Sequence, residues 1–186
     1  MQTANARALS AALFLALSCG AALAADPQQA ILVLDASGSM WGQIDGRTKI
    51  DIAREAVDTM LDGWQGGELG LLAYGHHRKG DCADIELLIE PGAAQTEAIR
   101  QQVQSLNPVG MTPISASVRQ AAERLRYTEQ KATVILVSDG EETCNADPCA
   151  LGAELERLGI DFTAHVIGFD ISAGSTADAQ LRCLAE

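Results

Sequence analysis

Four stretches of the chain run apolar with little alternation: AILVLD (30–35), ELGLLAY (68–74), ATVILVSD (132–139) and FTAHVIGF (162–169). Short continuous runs of this kind, rich in Leu, Val and Ile, predict strands buried on both faces. DIELLIE (84–90) alternates more and carries charge, which predicts an edge strand. Between these runs the apolar spacing changes to i, i+3, i+4. From Lys49 to Trp64, residues Ile52, Ala53, Ala56, Val57, Met60, Leu61 and Trp64 share one helical face. Ile99, Val103 and Leu106 make a second stripe. Ile114, Val118, Ala121, Ala122 and Leu125 make a third, and Leu151, Leu155 and Leu158 a fourth that stops at Gly159. A fifth begins near Ala177 and is cut off at Glu186.

Strands alternating with helices predict an α/β fold: a doubly wound, mostly parallel sheet with helices on both faces. The loop GHHRKGDCAD (75–84) is too short for a crossover helix, so the edge strand it leads into pairs antiparallel. The expected strand order is edge, second, first, the strand ending at Asp139, then the strand ending at Phe169. The sequence ends inside a helical pattern with no closing strand. It therefore reads as one domain, residues 25–186, truncated before its last strand.

The first segment stands outside that series. Arg7 precedes the apolar stretch ALSAALFLALSCGAALA (8–24), and Ala22 and Ala24 form an A-x-A-like cleavage site. Residues 1–24 thus read as a signal peptide, with no transmembrane segment after its removal and a periplasmic or secreted location. ALSCG distantly resembles a lipoprotein cleavage box, with Ala16 where Leu is usual; anchoring through Cys19 is the minor alternative. The chain carries 13 basic and 25 acidic residues. This balance argues against nucleic acid, which needs basic stripes, and suits a cation. Four cysteines remain after cleavage: Cys82, Cys144, Cys149 and Cys183. An even number in an exported protein predicts two disulfides. Zinc is the competing reading, but Cys144-x4-Cys149 is wide for a zinc ribbon.

In an open α/β sheet, ligands bind at the carboxyl ends of strands where the winding reverses. Asp35 and Asp139 each end a strand on either side of that point. DASGSMWG (35–42) sets Asp35, Ser37 and Ser39 at alternate positions, so a tight loop turns all three toward one place. GMTPIS (110–115) adds Thr112 ahead of a helix that begins at Pro113. Each feature alone also reads blandly: an Asx turn at Asp35, an N-cap at Thr112, a plain turn at Asp139-Gly140. Together they form an all-oxygen set of two carboxylates and three hydroxyls, which suits Mg²⁺, Mn²⁺ or Ca²⁺ rather than zinc or copper.

LDASGSMWG, GMTPIS and VSDGEE together resemble the metal-ion-dependent adhesion site of von Willebrand factor A domains, and most of all the exported bacterial members. The resemblance spans about residues 29–186. It implies that Asp35, Ser37, Ser39, Thr112 and Asp139 hold the cation, with Ser37, Ser39 and Thr112 binding directly and the aspartates directly or through water. It also implies an open coordination position that takes an Asp or Glu carboxylate from a protein partner. No G-x-S-x-G, GxxxxGK[ST] or H-E-x-x-H motif is present.

The main reading is therefore a metal-dependent, non-enzymatic protein-binding module of the cell envelope. The alternative is a metal-assisted hydrolase with His76 or His77 as general base; both also read as exposed loop residues. His165 reads as a core histidine. Trp41 is either an exposed anchor or a roof over the loop, and Glu141 and Glu142 either add field or face solvent. From the expected strand order, Cys149 and Cys183 lie on neighbouring helices and Cys82 leans toward Cys144. This predicts Cys82–Cys144 and Cys149–Cys183, with a local Cys144–Cys149 bridge as the runner-up.

Overall fold

The computed structural model describes residues 28–65 and 67–185. The signal-peptide assignment, with Arg7, Cys19, Ala22 and Ala24, lies outside the described residues. The elements are β1 (Gln29–Asp35), a 3₁₀ turn (Gly38–Trp41), β2 (Gln43–Ile44), β3 (Arg47–Thr48), α1 (Lys49–Asp62), β4 (Glu68–Tyr74), β5 (Ile85–Gly92), α2 (Thr96–Ser105), α3 (Ile114–Arg124), β6 (Ala132–Ser138), α4 (Pro148–Leu158), β7 (Phe162–Gly168) and α5 (Thr176–Ala185).

The main sheet runs β5-β4-β1-β6-β7, the order expected from the sequence. β4, β1, β6 and β7 are parallel neighbours, and β5 lies antiparallel on β4. Side-chain alternation along each strand divides the core in two. Leu32, Leu34, Leu71 and Val137 face α1 and α2, against Ile50, Val57, Ile99 and Val103. Ile31, Val33, Val134 and Leu136 face α3, α4 and α5, against Val118, Leu125, Leu155 and Leu181. β1 and β6 are covered on both faces, which is why their sequences show no polar alternation.

Two expectations need correction. FTAHVIGF read as a fully buried strand and His165 as a core residue, yet His165 is exposed and Ile167 is 36% exposed. Among the described residues, β7 has a strand neighbour on one side only, β6. An apolar run signals a strand but does not say whether that strand is central. α1 also stops at Asp62 rather than Trp64: the backbone turns at Gly63, and the Trp64 indole N–H donates to the Gly67 carbonyl at 3.0 Å.

The structure joins Cys82 to Cys144 and Cys149 to Cys183, with Cα–Cα separations of 5.7 and 4.7 Å. The first bond ties the β4–β5 loop to the loop after β6. The second ties α4 to α5.

Candidate functional site

The winding of the sheet reverses between β1 and β6, and the two strands end side by side. Asp35, last in β1, is fully buried. One of its carboxylate oxygens accepts the Ser37 backbone N–H at 2.8 Å, and the other accepts the Ser138 hydroxyl at 2.7 Å. The Ser138 hydroxyl in turn accepts the Tyr74 hydroxyl at 3.3 Å. Burial raises the Asp35 carboxyl above its ordinary range, the Ser37 and Ser138 hydrogen bonds pull it back, and the Asp139 charge adds to the rise. Burial and the Asp35 charge hold the Tyr74 phenol well above its ordinary value, so it remains a donor. A buried chain of three groups thus fixes the Asp35 side chain.

Beyond Asp35 the chain makes one 3₁₀ turn, which brings Ser37 and Ser39 together with their hydroxyls 2.9 Å apart. Ser39 donates to Asp139 Oδ1 at 2.8 Å, so its own oxygen accepts from Ser37. Asp139 Oδ2 accepts the Lys49 ammonium at 2.9 Å, and Lys49 also reaches Asp170 Oδ2 at 2.7 Å. The Asp139 side chain is fully covered, and that of Lys49 nearly so. Burial pushes the Lys49 ammonium down, but its hydrogen bonds to Asp170 and Asp139 outweigh this and raise it, so it stays charged.

Thr112 is buried on the neighbouring loop. Its backbone N–H donates to the Thr143 hydroxyl at 2.8 Å, and its carbonyl accepts the Thr143 N–H at 3.1 Å. The Gly38 N–H donates to the Gly110 carbonyl at 3.0 Å, joining this loop to the Ser37–Ser39 turn. Four of the five sequence-predicted residues are therefore linked side chain to side chain or through backbone. Thr112 joins them through the loop around it. Gly75 sits beneath both loops at φ +72°, where a Cβ would lie 2.7 Å from the Met111 carbonyl oxygen and 2.9 Å from Ser37 Cα. Only glycine permits that approach without displacement.

The rim differs from the sequence reading in places. His76 is buried, not exposed, and its Nε2 lies 3.3 Å from Glu86 Oε2. Burial and the neighbouring His77 lower its pKa, against the pull of Asp84 and Glu86. His77 is exposed and faces Asp84 and Glu86. Among the described residues the imidazoles contact Asp84 and Glu86, with no hydrogen bond to the Asp35–Asp139 cluster. Trp41 is half exposed, with its indole N–H on the Pro108 carbonyl at 2.9 Å. Glu141 faces solvent. Glu142 instead turns inward, accepting the Ser115 N–H at 2.8 Å and the Cys144 N–H at 2.7 Å. It caps α3, whose own N-cap residue, Pro113, makes no side-chain cap.

Sequence reasoning missed Tyr74, Ser138, Lys49 and Asp170. Ser138 had a local signal, a hydroxyl preceding the strand-ending Asp139. Lys49 and Asp170 had none, because their contacts cross the fold. The donor set fits a hard cation: two carboxylates and the adjacent hydroxyls converge, and the Lys49 ammonium already stands at Asp139 as a positive charge.

A family model for the von Willebrand factor type A domain matches residues 30–142. The protein YwmC of Bacillus subtilis (strain 168) is 27% identical over 170 residues, covering 86% of this chain and 73% of its own. Among solved structures, BatB from Bacteroides thetaiotaomicron has a TM-score of 0.65 at 16% identity, covering 84% of each chain. Proximal thread matrix protein 1 from the mussel byssus, with a zinc-occupied MIDAS motif, has a TM-score of 0.63 at 17% identity, covering 84% of this chain and 38% of its own. At these identities the structural likenesses speak for the fold.

Proposed function

Because this chain belongs to the von Willebrand factor type A domain family, we propose that residues 25–186 form a metal-dependent protein-binding module. Domains of this family are generally binding modules for other proteins and commonly hold a divalent metal at an adhesion site. Here Asp35, Ser37, Ser39, Thr112 and Asp139 would hold Mg²⁺, with Mn²⁺ or Ca²⁺ as substitutes. The observation that carries this reading is the Asp35–Ser37–Ser39–Asp139 hydrogen-bonded cluster, which leaves Ser39 exposed at the rim. The cation would supply an electrophilic position for a partner's Asp or Glu carboxylate, while the protein fixes its oxygen donors. No helix among the described residues is long and apolar enough to cross a membrane. Two disulfides support a location outside the cytoplasm, periplasmic or secreted.

Capture from an envelope extract tests the function. Wild type should retain a partner in Mg²⁺ and release it in chelator. Thr112→Ala should lose capture with unchanged circular dichroism. Capture that survives both treatments would place binding on another surface and refute the proposal.

A further inference from the structure

The β4–β5 hairpin opens on a second group of ligand-bearing side chains. His76 and His77 follow the left-handed Gly75; Asp84 and Glu86 stand where the chain re-enters the sheet. One ligand atom from each of His76, His77 and Asp84 falls within a mutual 4.8 Å. Glu86 stands beside this trio, outside its mutual spacing but next to both imidazoles: its Oε2 is 3.3 Å from His76 Nε2 and 3.5 Å from His77 Nδ1. His77 Nδ1 is also 3.6 Å from Asp84 Oδ1. Nitrogen and oxygen ligands about 2.0–2.1 Å from a tetrahedral ion lie roughly 3.3–3.4 Å from one another. These three separations match three of the six edges of such a shell to within a few tenths of an ångström, and a side-chain adjustment of Glu86 would close the rest.

The side chains are also held for the purpose. Asp84 is 2% exposed, and its Oδ2 accepts the backbone N–H groups of His77 and Arg78, both at 2.8 Å. This leaves Oδ1 for the cluster. Such outer hydrogen bonds orient a ligating carboxylate. His76 is 8% exposed; among the described residues its Nδ1 has no hydrogen-bond partner, and its one side-chain hydrogen bond is to Glu86. The buried ring thus has a single polar outlet, into the cluster. His77 and Glu86 are half exposed, which gives an ion a way in.

We propose that His76, His77, Asp84 and Glu86 form a second cation site that takes zinc(II), separate from the all-oxygen cluster at Asp35 and Asp139. Two imidazoles with two carboxylates are the ligands of a borderline ion, whereas hydroxyls with carboxylates are those of a hard one. The site pins the loop bearing Cys82. The Gly75 carbonyl at the base of that loop accepts the Val109 and Gly110 N–H groups of the Thr112 loop, at 2.9 and 2.7 Å. Zinc here would therefore stiffen the support under the oxygen cluster.

Oxidised, chelator-stripped protein should be titrated with zinc by calorimetry, and with cobalt(II) by visible spectroscopy. Asp35→Asn inactivates the oxygen cluster; His77→Ala and Glu86→Gln remove exposed ligands without opening the core. Wild type and Asp35→Asn should each bind one zinc and give the intense bands of four-coordinate cobalt. His77→Ala and Glu86→Gln should each bind at least about tenfold more weakly and lose those bands. Failure of wild type to bind zinc would overturn the proposal. Binding unchanged in His77→Ala, or lost in Asp35→Asn while His77→Ala keeps it, would also overturn it, the latter by assigning zinc to the oxygen cluster.

Discussion

Lys49 is the internal competitor of any cation at Asp139, and Lys49→Met should tighten Mg²⁺ binding. The ammonium lies 2.9 Å from Asp139 Oδ2, and the carboxylate side chain it contacts is fully covered. A hydrogen bond to a charged group is worth about 1.5–3 kcal/mol. Lys49 also holds Asp170 at 2.7 Å, a pair that survives when a metal takes Asp139. The Lys49 side chain retains some exposure, which screens part of the attraction. About 1–2 kcal/mol of competition remains, corresponding to a dissociation constant roughly 5–30-fold lower in the variant. Methionine keeps most of the aliphatic stem. The variant should be less stable than wild type without metal, because buried Asp139 loses its charge partner, and should gain more in Tm on adding Mg²⁺. Calorimetric titration with MgCl₂ beside thermal melts reads both effects. An unchanged or higher dissociation constant in a folded Lys49→Met protein would refute the competition. Absence of Mg²⁺ binding in both proteins would refute the ligand set itself.

Other variants test the rest of the frame. Asp35→Asn should remove Mg²⁺ binding measured by calorimetry while the protein still unfolds cooperatively. Glu142→Ala leaves the Ser115 and Cys144 N–H groups without their carboxylate and should cost about 1.5–3 kcal/mol in denaturant unfolding. Gly152→Ala would ordinarily favour a helix by about 0.5–1 kcal/mol. Here a Cβ would collide with the Cys183 carbonyl oxygen of α5, so a loss of about 1–3 kcal/mol is expected instead. Peptide mapping without reduction should return Cys82 linked to Cys144 and Cys149 linked to Cys183. Because the first bond spans 62 residues, a Cys82→Ser/Cys144→Ser protein should lose up to about 4 kcal/mol on the chain-entropy account.

The central strands were legible because burial on both faces imposes a local rule: every position of β6 is covered, so every position tolerates an apolar residue. β7 shows where the rule fails, since the same kind of run lies at the edge of the described sheet with His165 and Ile167 exposed. The β2–β3 hairpin is too short for any periodic signal. Its one clue is Asp45-Gly46, both at positive φ (51° and 81°), the dipeptide favoured by tight hairpin turns. Asp35, Ser37 and Ser39 were legible because one turn gathers them. Asp139 and Thr112 were legible because they sit at element ends the topology brings near. The Tyr74–Ser138–Asp35 chain and Lys49 depend on register and side-chain reach, which no spacing along the chain encodes. His76 read as exposed because it lies in a polar loop; the fold buries it beside Asp84.

Three loops from distant parts of the sequence meet at the carboxyl end of the sheet, and a proposed cation site built from them needs their relative positions fixed before any ion arrives. Hydrogen bonds do this between the first pair: the Gly110 carbonyl holds the Gly38 N–H, while the Gly75 carbonyl of the β4–β5 loop supports Val109 and Gly110 from beneath. Between the Thr112 loop and the loop after Asp139, Thr112 and Thr143 exchange two bonds, while Glu142 spans from α3 to Cys144. The Cys82–Cys144 bond then closes the circuit back to the β4–β5 loop. Preorganisation of this kind lowers the ordering cost of ligand capture. It also separates two consequences of reduction. Opening Cys82–Cys144 frees the far ends of two loops but leaves β1, β6 and Asp35 in the core. Reduced protein that stays folded should therefore keep Mg²⁺ binding with a weaker affinity. Loss of metal binding only in step with global unfolding would show that the covalent link acts on stability alone.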